Sequence, residues 1–394
     1  MNPLSSLLDL PDAEKDERGL AHTPQEIAQQ PQTWLGTYAL LRAQQAGIQQ
    51  FLTAAGLLDS PEQRPTVFLI GAGTSDYIGH SLHHLLRSQW QCEVLPVAST
   101  DLLTDFPDYI LSDRKYLWIS FSRSGDSPEG VAVLERALAE YPNICHLLIT
   151  CNAAGRMMSA IKGRGKSYSV VLDDATNDRG LAMTSSFTNM VLAGQILAHA
   201  WKMEDYQPVL QALVQSAEAF LPRAATLAAE LASEGYHRAC FVGSGVLAGA
   251  SMECALKLLE LTAGKLQTLT QPTLALRHGP MAALDRDTLF VALVSSQPQR
   301  RRYELDLLRE IGSKGLVRTR VAVATEDEKS LRAEAEYVLT PGISAAIPDL
   351  YRPILDVIFG QLLGLFASIH FGLKPDVPSP NGAISRVVQN VGIY

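Results

Sequence analysis

At 394 residues the chain is too long for one ordinary core and fits two domains of roughly 150–180 residues each. A hydrophobic share of 47% against 19% charged excludes wholesale disorder. The formal net charge of −8, with no basic run longer than Arg300-Arg301-Arg302, excludes a sequence-independent grip on nucleic acid but leaves an anionic small substrate open.

In chain order, residues 23–58 read as helical and open on the start signal Thr23-Pro24. Short apolar runs then alternate with longer helical patterns: "TVFLIGAGTS", "CEVLPVAS", "KYLWISFSRSG", "CHLLITCN" and "SYSVVLDD". That alternation predicts a parallel sheet with crossover helices. "FTNMVLAGQILAHAWKM" reads as a long helix closing the unit. After an amphipathic stretch at 207–233 the theme restarts with "RACFVGSGVLAG", "DTLFVALVSSQ", "RVAVATEDE" and "EYVLTPG". Phe68-Leu69-Ile70-Gly71-Ala72-Gly73 resembles Phe241-Val242-Gly243-Ser244-Gly245, and residues 118–124 resemble 290–296, both at an offset of about 170 residues. The two matches at one spacing predict a duplicated α/β unit. Residues 354–373 approach membrane-span length, yet Asp356, Gln361 and His370 within them predict a buried helix.

Five scattered cysteines, odd in number and never spaced as C-x-x-C, argue against a disulfide framework or structural zinc site. A reducing cytoplasm fits that usage, and the N-terminus shows no basic segment followed by an apolar one, so no secretory signal is expected.

Ligands of an open parallel sheet bind beyond the carboxyl ends of its strands, and "GAGTSD" and "SRSGDS" both fall there, each before a helix. Glycines admit close backbone approach, helix starts offer free N–H groups, and hydroxyls add movable donors, so a phosphate is the simplest ligand. The competing reading is that Ser and Asp only cap helices while Gly only turns the chain. Arg123 either pairs with the phosphate or points to solvent.

Three other patterns carry less. Gly71-x-Gly73 has Asp76 where a dinucleotide fingerprint needs its third glycine. Gly165-Lys166-Ser167 resembles the end of a P-loop, but Ala160 stands at the first glycine position and no apolar strand precedes it. His80, His83 and His84 share a helical face; with no acidic partner in the motif, a solvated or core-edge face is expected rather than a metal site.

In "SMECALKLLELTAGK", Glu253, Lys257 and Glu260 project from one helical face among leucines. They form either a tuned acid–base group on a packed helix or an ion pair on a wet surface. "LRHGP" puts His278 in a loop, where an imidazole can carry a proton near neutral pH.

Together "GAGTS", "ISFSRSG", "ALKLLE" and "RHGP" resemble the sugar isomerase (SIS) domain proteins. With "FSRSGDSPE", "ITCNAAG", "DRGLAMTSS", "ALKLLELTAGK", "YELDLL" and "SRVVQNV" added, the chain resembles one SIS family: the galactosamine-6-phosphate deaminases, long labelled tagatose-6-phosphate ketose/aldose isomerases. The likeness runs from about Glu26 to the C-terminus. It implies an α/β fold of two tandem SIS domains, each a parallel, flavodoxin-like sheet flanked by helices. The expected divisions are an N-terminal helical segment (1–45), SIS domain 1 (46–206), SIS domain 2 (207–374) and a tail over the active site (375–394).

The same resemblance implies that Gly73, Thr74, Ser75, Ser122, Arg123, Ser124 and Ser127 hold a sugar 6-phosphate, with Thr184 and Ser185 closing the pocket. Glu260 would move the proton between C1 and C2, Glu253 and Lys257 would support it, and His278 would open the ring, from a neighbouring subunit where SIS proteins dimerise. The implied reaction converts D-galactosamine 6-phosphate and water to D-tagatose 6-phosphate and ammonia. A plain aldose–ketose isomerase and a sugar-phosphate sensor are the alternatives. No metal and no cofactor is called for. A homodimer or higher homo-oligomer is expected, with residues 192–201 and 354–371 offering buried faces for it; no nucleic-acid or membrane partner is expected.

Two departures from the related glucosamine-6-phosphate synthases matter. No cysteine precedes Cys92, so glutamine-derived ammonia is not expected. No lysine follows Lys374; Arg386 lies in the tail instead, and a guanidinium cannot form a Schiff base.

Overall fold

The computed structural model describes residues 2–344, 346–388 and 391–394. Gln389 and Asn390, part of the "SRVVQNV" signature, lie outside the described residues. The chain forms two compact units. One gathers Gln32–Asn177, Ser185–Pro208 and Ile384–Tyr394; the other gathers Met1–Pro31, Asp178–Thr184 and Val209–Ala383.

The first unit is built on β1 (Thr66–Gly71), β2 (Val94–Ala98), β3 (Tyr116–Ser122), β4 (Cys145–Thr150) and β5 (Ser167–Val171). All four ladders are parallel and the order is β2-β1-β3-β4-β5, the flavodoxin order. The central β1 and β3 are buried throughout, which is why they read as largely apolar runs. Phe68, Trp118, Phe106 and Leu102 fill one face of this sheet. Helices α1 (Thr74–Trp90), α2 (Pro128–Glu140) and α3 (Ser185–Ala198) flank it, and α3 is buried along its whole length.

The second unit repeats the plan with β6 (Arg238–Gly243), β7 (Gln267–Pro272), β8 (Thr288–Leu293), β9 (Thr319–Val323) and β10 (Tyr337–Leu339). Its order, β10-β9-β8-β6-β7, is the same order read from the other edge. The duplication predicted from the spacing is therefore present at the level of topology. Its flanking helices are α4 (Val246–Leu261), α5 (Pro298–Ser313) and α6 (Pro353–His370). Leu307, Leu308 and Ile311 of α5 pack on Phe290 and Val242.

β7 has no counterpart among the apolar runs read from the sequence. "QTLTQP" is a half-exposed edge strand, so its pairing with β6 rather than its side chains defines it. Gly165-Lys166-Ser167 leads into β5 rather than into a helix, so it has no P-loop geometry. The apolar helix α6 is buried inside the protein, as its polar residues predicted. α3 and α6, which cover most of residues 192–201 and 354–371, are buried within the chain on almost every face.

Candidate active site

In the first unit, the loops after β1 and β3 hold the predicted anion ligands at neighbouring strand ends. Gly73 turns with φ +56°, a conformation that excludes most side chains, and α1 starts at the next residue with Thr74 and Ser75 buried. Beyond β3, Ser122 Oγ accepts the Gly125 N–H at 3.0 Å and Ser124 Oγ accepts the Asp126 N–H at 3.2 Å. Ser127 caps α2, accepting from the Gly130 N–H at 3.3 Å. In each case the oxygen is the acceptor, so the hydroxyl hydrogen stays available to an oxyanion. Capping and phosphate binding are compatible at these serines.

The next loop fixes the serine loop in place. Asn152 Nδ2 donates to the Ser124 carbonyl at 2.7 Å, and Asp126 Oδ1 accepts the Arg156 N–H at 2.8 Å. Neither residue was singled out from sequence, although both stand in signature stretches. Arg123 corrects the solvent reading: it is buried, and its Nη2 donates to the Arg386 carbonyl at 2.8 Å. Arg386 in turn donates to Asn177 Oδ1 at 2.6 Å. The tail arginine is thus tied to the serine loop through its carbonyl and to Asn177 through its side chain.

The structure does not treat Thr184 and Ser185 alike. Thr184 belongs to the second unit, where its N–H and hydroxyl both bond Asp178, at 2.8 and 3.1 Å. Ser185 opens α3 in the first unit, fully buried, with its carbonyl accepting from Asn189 Nδ2 at 2.8 Å. The histidine face on α1 also needs a correction: it does have an acidic neighbour, since Asp76 lies 3.5 Å from His80 Nε2. Burial, with His84 beside it, pushes His83 down to about 4. No metal-holding cluster occurs among the described residues.

In the second unit, α4 settles the wet-surface alternative against itself. Glu253 and Lys257 are fully buried, and the Glu260 side chain keeps 23% of its surface exposed. Lys257 Nζ lies 2.5 Å from Glu260 Oε2 and 3.4 Å from Glu253 Oε1. One cation is therefore flanked by two carboxylates, of which only Glu260 reaches solvent. A buried ammonium requires such pairing, and the exposed member of the trio is the one able to meet a substrate. His278 follows a short 3-10 turn and is exposed; among the described residues no hydrogen bond or ion pair joins it to the α4 trio. Its loop is held by Arg277, which bonds Glu310 at 2.7 Å and Asp306 at 2.8 Å on α5.

Sequence reasoning missed a second buried carboxylate group in this unit. Glu26 accepts the backbone N–H groups of Arg179 and Gly180, the latter at 3.2 Å, and so pins the loop that carries Asp178 and Thr184. Burial first, then the nearby Asp178 and Asp376, pushes Glu26 up to about 8 against the opposing effect of those N–H donors.

No protein-family model matches the chain. Among curated relatives, D-galactosamine-6-phosphate deaminase AgaS of Escherichia coli O157:H7 is 35% identical over 384 residues, covering 94% of this chain and 95% of the relative. D-galactosamine-6-phosphate deaminase AgaS of Shewanella sp. (strain ANA-3) is 32% identical, covering 95% and 92%. The crystal structure of tagatose-6-phosphate ketose/aldose isomerase from Escherichia coli superposes with a TM-score of 0.85 at 32% identity, covering 94% of this chain and 96% of that one. Both sheets, the serine loops and the α4 trio fall within the shared length, and the chain belongs to the AgaS family of D-galactosamine-6-phosphate deaminases.

Proposed function

We propose that the protein converts D-galactosamine 6-phosphate and water to D-tagatose 6-phosphate and ammonia, in the cytoplasm. The observation that carries this reading is the α4 trio, in which a buried lysine holds one solvent-reaching carboxylate on a helix otherwise packed in apolar surroundings. The names of the relatives support the substrate. The five free cysteines agree with the compartment.

In this reading the first unit recognises the phosphate. The Ser122, Ser124 and Ser127 hydroxyls, the turn at Gly73 with Thr74 and Ser75, and the buried Arg123 supply donors and charge. Thr184 and Ser185 at the chain crossing act with them, and Arg386 holds the tail against the serine loop. The second unit supplies the proton chemistry. His278 transfers a proton to open the pyranose, and its exposure supports action from a neighbouring subunit of a homo-oligomer. Glu260 removes the proton from C2, so that the C2–H electrons form the C1–C2 double bond of an enamine while the C1=O π pair moves to O1 and takes up a proton. Glu260 then returns its proton to C1 as the nitrogen lone pair forms the C2 imine. Water adds to that imine; the C–N bond breaks, and ammonia departs with a proton. Glu253 and Lys257 fix the position of Glu260. Each acid–base step of this kind contributes roughly 10²–10⁴-fold.

A second reading, aldose–ketose isomerisation without loss of nitrogen, is favoured by the description of the Escherichia coli structure. It requires the same Glu260 and His278. Ammonia release measured side by side on galactosamine 6-phosphate, glucosamine 6-phosphate and their N-acetyl forms separates the two. Release from galactosamine 6-phosphate alone is expected. Turnover of tagatose 6-phosphate to an aldose with no ammonia from any amino sugar would leave isomerisation as the activity.

A further inference from the structure

Duplication gives the second sheet its own copy of the strand-end nest. β6 and β8 are neighbours as β1 and β3 are, and each is followed by a turn into a helix. Gly245 turns with φ +61° and ψ −131°, against +56° and −125° at Gly73, so the two first turns share a backbone conformation. The side chains differ. Where α1 opens with Thr74 and Ser75, α4 opens with the buried apolar pair Val246 and Leu247.

The turn after β8 is occupied. Asp349 Oδ1 accepts the Ser296 N–H at 2.9 Å, the Ser296 hydroxyl at 2.8 Å and Arg352 Nη1 at 3.0 Å. Its Oδ2 accepts the Ser295 hydroxyl, while the Ser295 N–H goes to Glu304 at 2.7 Å. Asp349 is 2% exposed and Arg352 fully buried, with Asp356 on the far side of the guanidinium at 2.7 Å. Hydroxyls, a backbone N–H and an arginine converge here on one anionic group, as they would on a bound oxyanion. In the first nest no carboxylate accepts from Ser122, Ser124 or Ser127 among the described residues.

We propose that Asp349 is the resident anion of the second nest: its carboxylate occupies the place that the first nest leaves to a phosphate, so each chain offers one phosphate seat and keeps the other shut. The count of one seat rests on the phosphate reading above; the residence of Asp349 does not. Burial pushes this carboxyl up, but Arg352 and the bonds from Ser295 and Ser296 outweigh it and hold it below the ordinary aspartate value.

The test is chemical rescue. Asp349→Gly opens a void lined by these donors, and formate, a free carboxylate, fits it. In the full-length variant, sodium formate is expected to raise the melting temperature by a few degrees over sodium chloride at equal ionic strength. Wild type and Asp349→Asn, whose side chains fill the space, are expected to respond equally to the two salts. An equal response from Asp349→Gly would overturn the proposal. If that variant does not fold, carbon-13 NMR of aspartate-labelled wild type decides. An Asp349 carboxyl ionised well below the ordinary value of 3.8 supports residence, and titration at or above that value refutes it. Neither measurement involves Ser122 or Glu260, so failure here leaves the functional reading standing and failure of that reading leaves Asp349 in place.

Discussion

Lys257 holds its ammonium 2.5 Å from the Glu260 carboxylate while itself fully buried. The pair differs from an ordinary i, i+3 surface contact, because the lysine has exchanged water for two carboxylates and cannot leave them without loss. Glu260→Gln keeps the shape and the acceptor oxygen but cannot take a proton from carbon. A fall in kcat of roughly 10²–10⁴-fold with KM within about threefold is expected. Steady-state kinetics at saturating galactosamine 6-phosphate checks it, and near-wild-type turnover would remove Glu260 from the chemistry.

Lys257→Met tests the positioning role from the other side. It leaves Glu253 buried beside an apolar chain, and breaking a buried pair by deleting one partner costs about 3–5 kcal/mol. Adding Glu253→Gln is expected to restore much of the melting temperature without restoring kcat. Recovery of both would show that Lys257 acts only in folding.

The serine loop gives a prediction in KM rather than kcat. Ser122→Ala and Ser124→Ala each remove a hydroxyl donor proposed for the phosphate and one acceptor for a loop N–H. A lost hydrogen bond to a charged group is worth about 1.5–3 kcal/mol, hence a rise in KM of roughly ten- to a hundredfold. Unphosphorylated galactosamine, turned over slowly, is expected to show no change. Equal damage on both substrates would mean that the serines serve the loop alone.

How far these features were legible depended on the distance in sequence between the partners. β1, β3, β6 and β8 were plain because strands buried along nearly their whole length are largely apolar. The α4 trio was visible through helical spacing, but its burial was not, since the helices that cover α4 lie far along the chain. The edge strand β7 left no apolar trace. Glu26 and Asp349 were beyond reach for a different reason: their partners lie 153 and 53 residues away, and nothing local marks a carboxylate that will end inside a nest.

Glu26 carries the clearest pH dependence. Its carboxyl is raised from 4.5 to about 8, so between those values the folded chain holds a proton that the unfolded chain has released. The resulting stability is complete below about pH 4.5 and is lost as pH rises through 8. Glu26→Gln mimics the protonated acid and keeps an oxygen for the Arg179 and Gly180 N–H groups. Wild type and variant are expected to melt together at pH 5. At pH 8.5 the variant is expected to be more stable by on the order of 2–4 kcal/mol. Parallel melting curves across that range would show that Glu26 titrates as an ordinary carboxylate.

Gly360 on α6 tests how closely α4 must approach its neighbour for the trio to be placed. A Cβ added there would sit 2.5 Å from both Cβ and Sγ of Cys254, one residue from Glu253. Gly360→Ala therefore forces α4 outward, and overpacking of this kind costs about 1–3 kcal/mol. Because α4 carries Glu260, kcat is expected to fall with stability while KM, proposed above to depend on the serine loops, changes little. Cys254→Gly removes the two closest atoms and leaves the Cys254 Cα at 2.7 Å, so the double variant is expected to recover part of the lost kcat, beyond the sum of the two single changes. Strict additivity in kcat would mean that the position of α4 is set elsewhere and that the Gly360–Cys254 approach is only packing.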